Sequence, residues 1–201
     1  MSLFKKTLPS KVVATFLMDY TLVGNTDQHD AHTFAMGPLG LSATDGSNVL
    51  PDGEIRSHEK HLSSRDKLII ELEKLYLRGS VVHMSVQLLV KNARIRETMM
   101  SEYDSIWKQW STNYKFEYFD FYDKSRTIYG VELAFLTDNL TDQEKCKKVG
   151  LRYAELCDPF SVIVDPLRSE LAEIGSGIFM NATAVIGNIL ESTFERFRIT
   201  T

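Results

Sequence analysis

The spacing of apolar residues divides the chain into helical and extended stretches. After Ser63, the residues Leu68, Ile69, Leu72, Leu75 and Tyr76 recur every three or four positions. Ser63 and Asp66 have the S-x-x-[DE] spacing of a capping box, so a helix starts here, and Gly79 is read as its stop. Ile95, Met99, Tyr103, Ile106, Trp107 and Trp110 mark a second amphipathic helix. A second capping box, Thr141 with Glu144, opens a third through Cys146, Val149, Tyr153 and Leu156, broken by Asp158-Pro159. A fourth begins at Asp165-Pro166, with proline at its first position, and is expected to end at Gly175 and Gly177.

Other stretches read as strands. Residues 12–23 are rich in β-branched and aromatic types, and 80–90 alternate, with Val82, Met84, Val86, Leu88 and Val90 on one face. Residues 114–122 and 127–136 form a hairpin-like pair about Asp123-Lys124-Ser125, and 160–164, 178–187 and 193–200 complete the set. Helices among hairpin-compatible strands predict an α+β fold: a single domain in which an antiparallel sheet is packed by three to four helices. The long segment 24–62 is rich in Gly, Pro, Asp, Asn and Ser and lacks periodicity, so it is expected to be a mobile arm. Residues 1–11 are expected to be a flexible basic leader, leaving 12–201 as the domain.

Composition narrows the function. The chain has 201 residues, 43% of them hydrophobic and 25% charged, and a chain this long can bury roughly 70% of its unfolded surface in one core. No stretch has the length and apolarity of a membrane span, and no secretory signal opens the sequence. Two cysteines exclude a disulfide scaffold and fit a reducing compartment. A formal net charge of -4 argues against a dedicated nucleic-acid binder, so no specific nucleic-acid sequence is expected as a partner.

Catalytic signatures are missing. There is no G-x-S-x-G, H-E-x-x-H, Walker A or G-x-G-x-x-G pattern, and Cys146 and Cys157 fall near the apolar side of a predicted helix. The chain is therefore expected not to be an enzyme, with no catalytic residues and no cofactor. The strongest competing chemistry is metal binding. His29 and His32 form one H-x-x-H pair and His58 and His61 another, and imidazoles three apart can share one zinc ion. All-histidine structural zinc sites are unusual, and a polar loop that happens to hold four of the five histidines is the plainer explanation. The aromatic run Tyr114–Tyr122 has two acids and one lysine, so it suits packing better than base stacking.

The leader carries Lys5, Lys6 and Lys11 with no acid, beside Leu3, Phe4 and Leu8. Such a segment suits an anionic bilayer, each near-surface charge contributing about 1 kcal/mol, so these lysines are the candidate membrane-binding residues. Three charges alone bind weakly, and many assembled copies would be needed.

Residues 80–141 resemble the central part of a rhabdovirus matrix protein. The likeness lies in HMSVQLLV (83–90), the polar-basic turn Lys91-Asn92-Ala93-Arg94, the stretch with Tyr103, Ile106 and Trp107, and Ile128 to Leu140. The start Met1-Ser2-Leu3-Phe4-Lys5-Lys6 is also similar to such proteins. The resemblance implies an α+β domain with a lysine-bearing leader. It also implies a viral structural protein that self-associates as a homo-oligomer and bridges membrane and nucleocapsid. Its partners would be itself, the viral nucleoprotein and an anionic membrane surface, and its location the virion, host cytoplasm and inner face of host membranes. No PPxY or P-[ST]-A-P motif is present. Two other readings stay open: a metal-binding enzyme or module using the His-rich loop, and a host or secretion-system adaptor.

Overall fold

Six helices and two short strands make up the residues described by the computed structural model, which are 5–24, 62–113, 118–135, 140–158 and 165–201. In chain order they are β1 (Lys6–Pro9), α1 (Ser10–Val23), α2 (Ser64–Leu89), α3 (Ala93–Asn113), α4 (Tyr118–Phe135), α5 (Asp142–Cys157), α6 (Asp165–Arg196) and β2 (Phe197–Thr200). The expected α+β architecture is thus corrected to a helical one. The only sheet among the described residues is the parallel pair β1–β2, in which Lys6 stands opposite Phe197 and Leu8 opposite Ile199.

Each misread strand has a physical reason. In α1 the buried residues Val13, Ala14, Leu17, Met18 and Thr21 lie at helical spacing, so periodicity prevails over the β-branched composition of 12–23. The alternating stretch 80–90 sits in the second half of α2, which packs against α1, α3, α4, α5 and α6. Residues 76–83 are all buried, Arg78, Ser80 and His83 among them, so this helix is covered on every side there and shows no single apolar stripe. In such a helix a period-two pattern arises by accident. Tyr122, Ser125 and Tyr129 are buried at three- and four-residue spacing on α4, which replaces the two expected strands over 118–135, while 114–117 and 136 lie outside the described residues. The sequences 178–187 and 193–196 continue α6, whose buried positions run from Leu167 to Thr193, and only 197–200 is extended.

The glycine stops fail for a different reason. Gly79 lies inside α2 where α4 comes close: a Cβ there would stand 2.7 Å from Cε2 of Tyr122. Gly175 has the same role between α6 and α5, where a Cβ would meet the Tyr153 side chain at 2.5 Å. Both glycines serve helix contact rather than termination. The two capping boxes form as expected, with Asp66 N–H donating to Ser63 Oγ at 3.2 Å and Glu144 N–H donating to Thr141 Oγ1 at 3.3 Å. The strand expected at 160–164 lies outside the described residues.

An aromatic cluster ties α2, α3 and α4 together. Trp107 and Tyr122 stack at 4.4 Å, Tyr76 tilts against both at 6.3 Å, and Trp110 meets Trp107 edge-on. Tyr122 is thus core, as expected for the aromatic run, although it packs from a helix and not from a strand. At the other end of α2, the α2–α3 connection, the last turns of α6 and the β1–β2 pair converge. Buried Leu8 and Ile199 fasten the strands onto the helices.

Candidate functional site

That convergence leaves an open groove with a cavity volume of 1180 Å³. Its apolar floor comes from Leu89, Ile95, Leu190, Phe194, Phe197 and Ile199, and its charged side chains are Lys5, Lys91, Arg94, Arg198 and Glu191. Four cationic side chains against one acidic side chain, Glu191, give the lining a positive balance on a chain whose net charge is -4. Among the described residues, no carboxylate forms an ion pair with Lys91, Arg94 or Arg198. Charges within one Debye length, about 8 Å at physiological salt, act on a ligand together, so cations around a single groove reinforce one another.

Local chemistry fixes the corner. Asn92 caps α3, its Oδ1 accepting from Ile95 N–H at 3.1 Å, and its backbone carbonyl accepts from Arg96 N–H at 2.9 Å. The Arg96 guanidinium reaches back to donate to the Val90 carbonyl at 3.3 Å. Lys5 donates to the Phe194 carbonyl at 2.8 Å near the end of α6, which holds the start of β1 against that helix. Leu88 and Leu89, in the last turn of α2 beside Lys91, are 65% and 39% exposed. Exposed leucines beside exposed cations are what an amphipathic, anionic surface would contact.

Of the expected membrane-binding lysines, Lys5 lines this groove, Lys6 lies on β1 and Lys11 in the first turn of α1, all three exposed. Sequence reading missed Arg198 altogether. Lys91 and Arg94 drew notice only as a polar-basic turn, because nothing in the linear order shows that residues near 5, 91 and 198 meet. His29, His32, His58 and His61 lie outside the described residues, as does all of the 24–62 arm except its two ends. Among the described residues no group of three or more His, Cys, Asp or Glu side chains is placed to hold a metal ion.

Two polar clusters lie inside the bundle. His83 Nε2 stands 3.1 Å from Asp104 Oδ1, while Arg126 Nη1 stands 3.2 Å from both ring nitrogens and its guanidinium pairs with Asp123 and Asp104. Burial pushes the His83 pKa down against the pull of Asp104, which favours the neutral imidazole. Among the described residues no hydroxyl or thiol hydrogen-bonds to His83, whose ring packs against Tyr103 and Tyr122. Deeper in, Glu73 accepts from Tyr129 at 3.1 Å and from Ser125 at 3.3 Å, and burial raises its pKa to about 7. The buried Cys157 thiol is pushed well above its usual range, and half-buried Cys146 is also raised.

Comparison with known proteins adds no relative: no family model, curated protein or solved structure matches the chain. No helix among the described residues is long and apolar enough to cross a membrane.

Proposed function

We propose that this chain is a non-enzymatic structural protein that lies on an anionic membrane surface through the end of the bundle formed by β1–β2 and the α2–α3 corner. In the form implied by the likeness over 80–141, it is a matrix-type protein that self-associates there and links the membrane to a nucleoprotein in virion assembly. The strand–helix–strand order that the likeness implies is replaced by α2, α3 and α4. The proposal therefore stands first on the groove. The observation that carries it is the clustering of Lys5, Lys91, Arg94 and Arg198 around an apolar floor on an acidic chain.

Magnitudes indicate a peripheral, reversible contact. Four near-surface cations at about 1 kcal/mol each amount to millimolar affinity. Insertion of Leu88 and Leu89, each worth about 1.5–3 kcal/mol when fully buried, would bring single-molecule binding toward the micromolar range. Self-association would then raise the avidity further.

Flotation with neutral and anionic vesicles tests the proposal. Removing residues 1–11 would also remove β1 and the start of α1, so point substitutions are the cleaner probe. The chain should float with anionic vesicles only, and Lys91→Glu/Arg94→Glu/Arg198→Glu should abolish flotation while leaving the circular dichroism and melting temperature unchanged. Equal flotation of the triple variant, or none of the unaltered chain, would overturn the docking surface. Sedimentation at low salt and high concentration tests self-association, and a persistent monomer would remove that part.

A further inference from the structure

The groove has more structure than a charged surface needs. Its cations stand at the rim, Lys91, Arg94 and Arg198 all being exposed, while Leu190 and Ile199 are buried and Ile95, Phe194 and Phe197 are half-buried. Polar capture at the mouth and apolar capture within is the arrangement that an amphiphile with one charged end requires. The first turn of α3, whose Ile95 N–H is taken by Asn92, opens beside the groove through Arg94 and Ile95, and its dipole favours an anion there. Size separates the candidate ligands. A free phosphate would contact the rim and leave the floor untouched, since the 1180 Å³ of this groove exceeds even the roughly 300–1,000 Å³ typical of small-molecule sites.

We propose that this groove binds one anionic phospholipid, with its phosphate held by Lys91, Arg94 and Arg198 and the first part of an acyl chain lying along Leu89, Ile95, Phe194 and Phe197. The inference rests on the membrane-docking reading and deepens it, turning a diffuse contact into a one-to-one lipid site. It predicts selectivity that net charge alone does not supply.

The test uses the full chain with soluble short-chain lipids below their micelle concentration, followed by amide NMR shifts or calorimetry, beside vesicle flotation. Dihexanoyl phosphatidylserine should bind saturably at one equivalent, at least tenfold more tightly than dihexanoyl phosphatidylcholine or inorganic phosphate. Affinity should rise from dibutanoyl to dihexanoyl phosphatidylserine by up to about fourfold for each buried methylene. Arg94→Gln and Arg198→Gln, both at exposed positions, should each weaken binding severalfold without changing the melting temperature.

The outcomes separate. Flotation on anionic vesicles without saturable short-chain binding would overturn the lipid site and leave the docking reading standing. Binding that is independent of chain length, or equalled by phosphate, would overturn it in favour of a simple anion contact. Saturable short-chain binding without flotation would uphold the lipid site and remove the membrane reading.

Discussion

Glu73 is a buried carboxyl whose environment opposes its charge. It faces Ser125 and Tyr129 on α4, with Cys157 and Tyr153 on α5 and Glu71 and Lys74 on its own helix nearby. Its folded pKa of about 7 stands above the ordinary 4.5, so between these values the folded state holds more protons than the unfolded one. Stability contributed by Glu73 is therefore fully present below about pH 4.5 and is lost as pH rises through about 7. Replacing it by glutamine keeps an acceptor for the Tyr129 and Ser125 hydroxyls and removes the charge. Glu73→Gln should match the unaltered chain near pH 5 and exceed it by up to about 3 kcal/mol near pH 8, read from denaturant melts at each pH. His83 shifts the opposite way and loses stability below its ordinary 6.5, so the difference between the two proteins, not either profile alone, isolates Glu73. A constant difference across pH would show that the carboxyl is ionised throughout.

At the scale of elements, the legible signals were local and the illegible ones depended on tertiary packing. Capping boxes at Ser63 and Thr141, the stripe on α3 and Pro166 in the first turn of α6 need only neighbouring residues, and each marks a real helix. Gly79 and Gly175 read as stops because a glycine's local preference is to end a helix, whereas their actual constraint is the ring of Tyr122 or Tyr153 on another element. This gives a paired prediction. Gly79→Ala forces a methyl against Tyr122, which is held in place by its stack on Trp107, and should cost about 1–3 kcal/mol despite the better helix propensity of alanine. At Gly177, on the same helix as Gly175, a Cβ meets nothing within 4 Å, so Gly177→Ala should stabilise by about 0.5–1 kcal/mol. Thermal melts of the two variants that moved in the same direction would contradict this account of the packing. The second half of α2 was misread for a related reason: a helix surrounded on all sides has no polar stripe to betray its period.

For the whole molecule, the groove joins residues near 5, 90 and 198, and only the sheet register of β1 on β2 and the direction of α2 bring them together. Lys5, Lys6 and Lys11 were legible as a basic segment, but the partners that give Lys5 a site were not. The groove also lies at one end of α2. The 26 residues of α2 extend about 39 Å, so its capped start at Ser63–Asp66 lies several Debye lengths from the groove at its other end. A protein docked by the groove should therefore be covered at one end only. Hydrogen exchange of the full chain, free and bound to anionic vesicles, tests this most directly. The account predicts added protection over residues 88–95 and 197–200, with residues 63–70 unchanged. Protection centred on 63–70, or spread evenly along α2 and α6, would contradict the proposed docking surface.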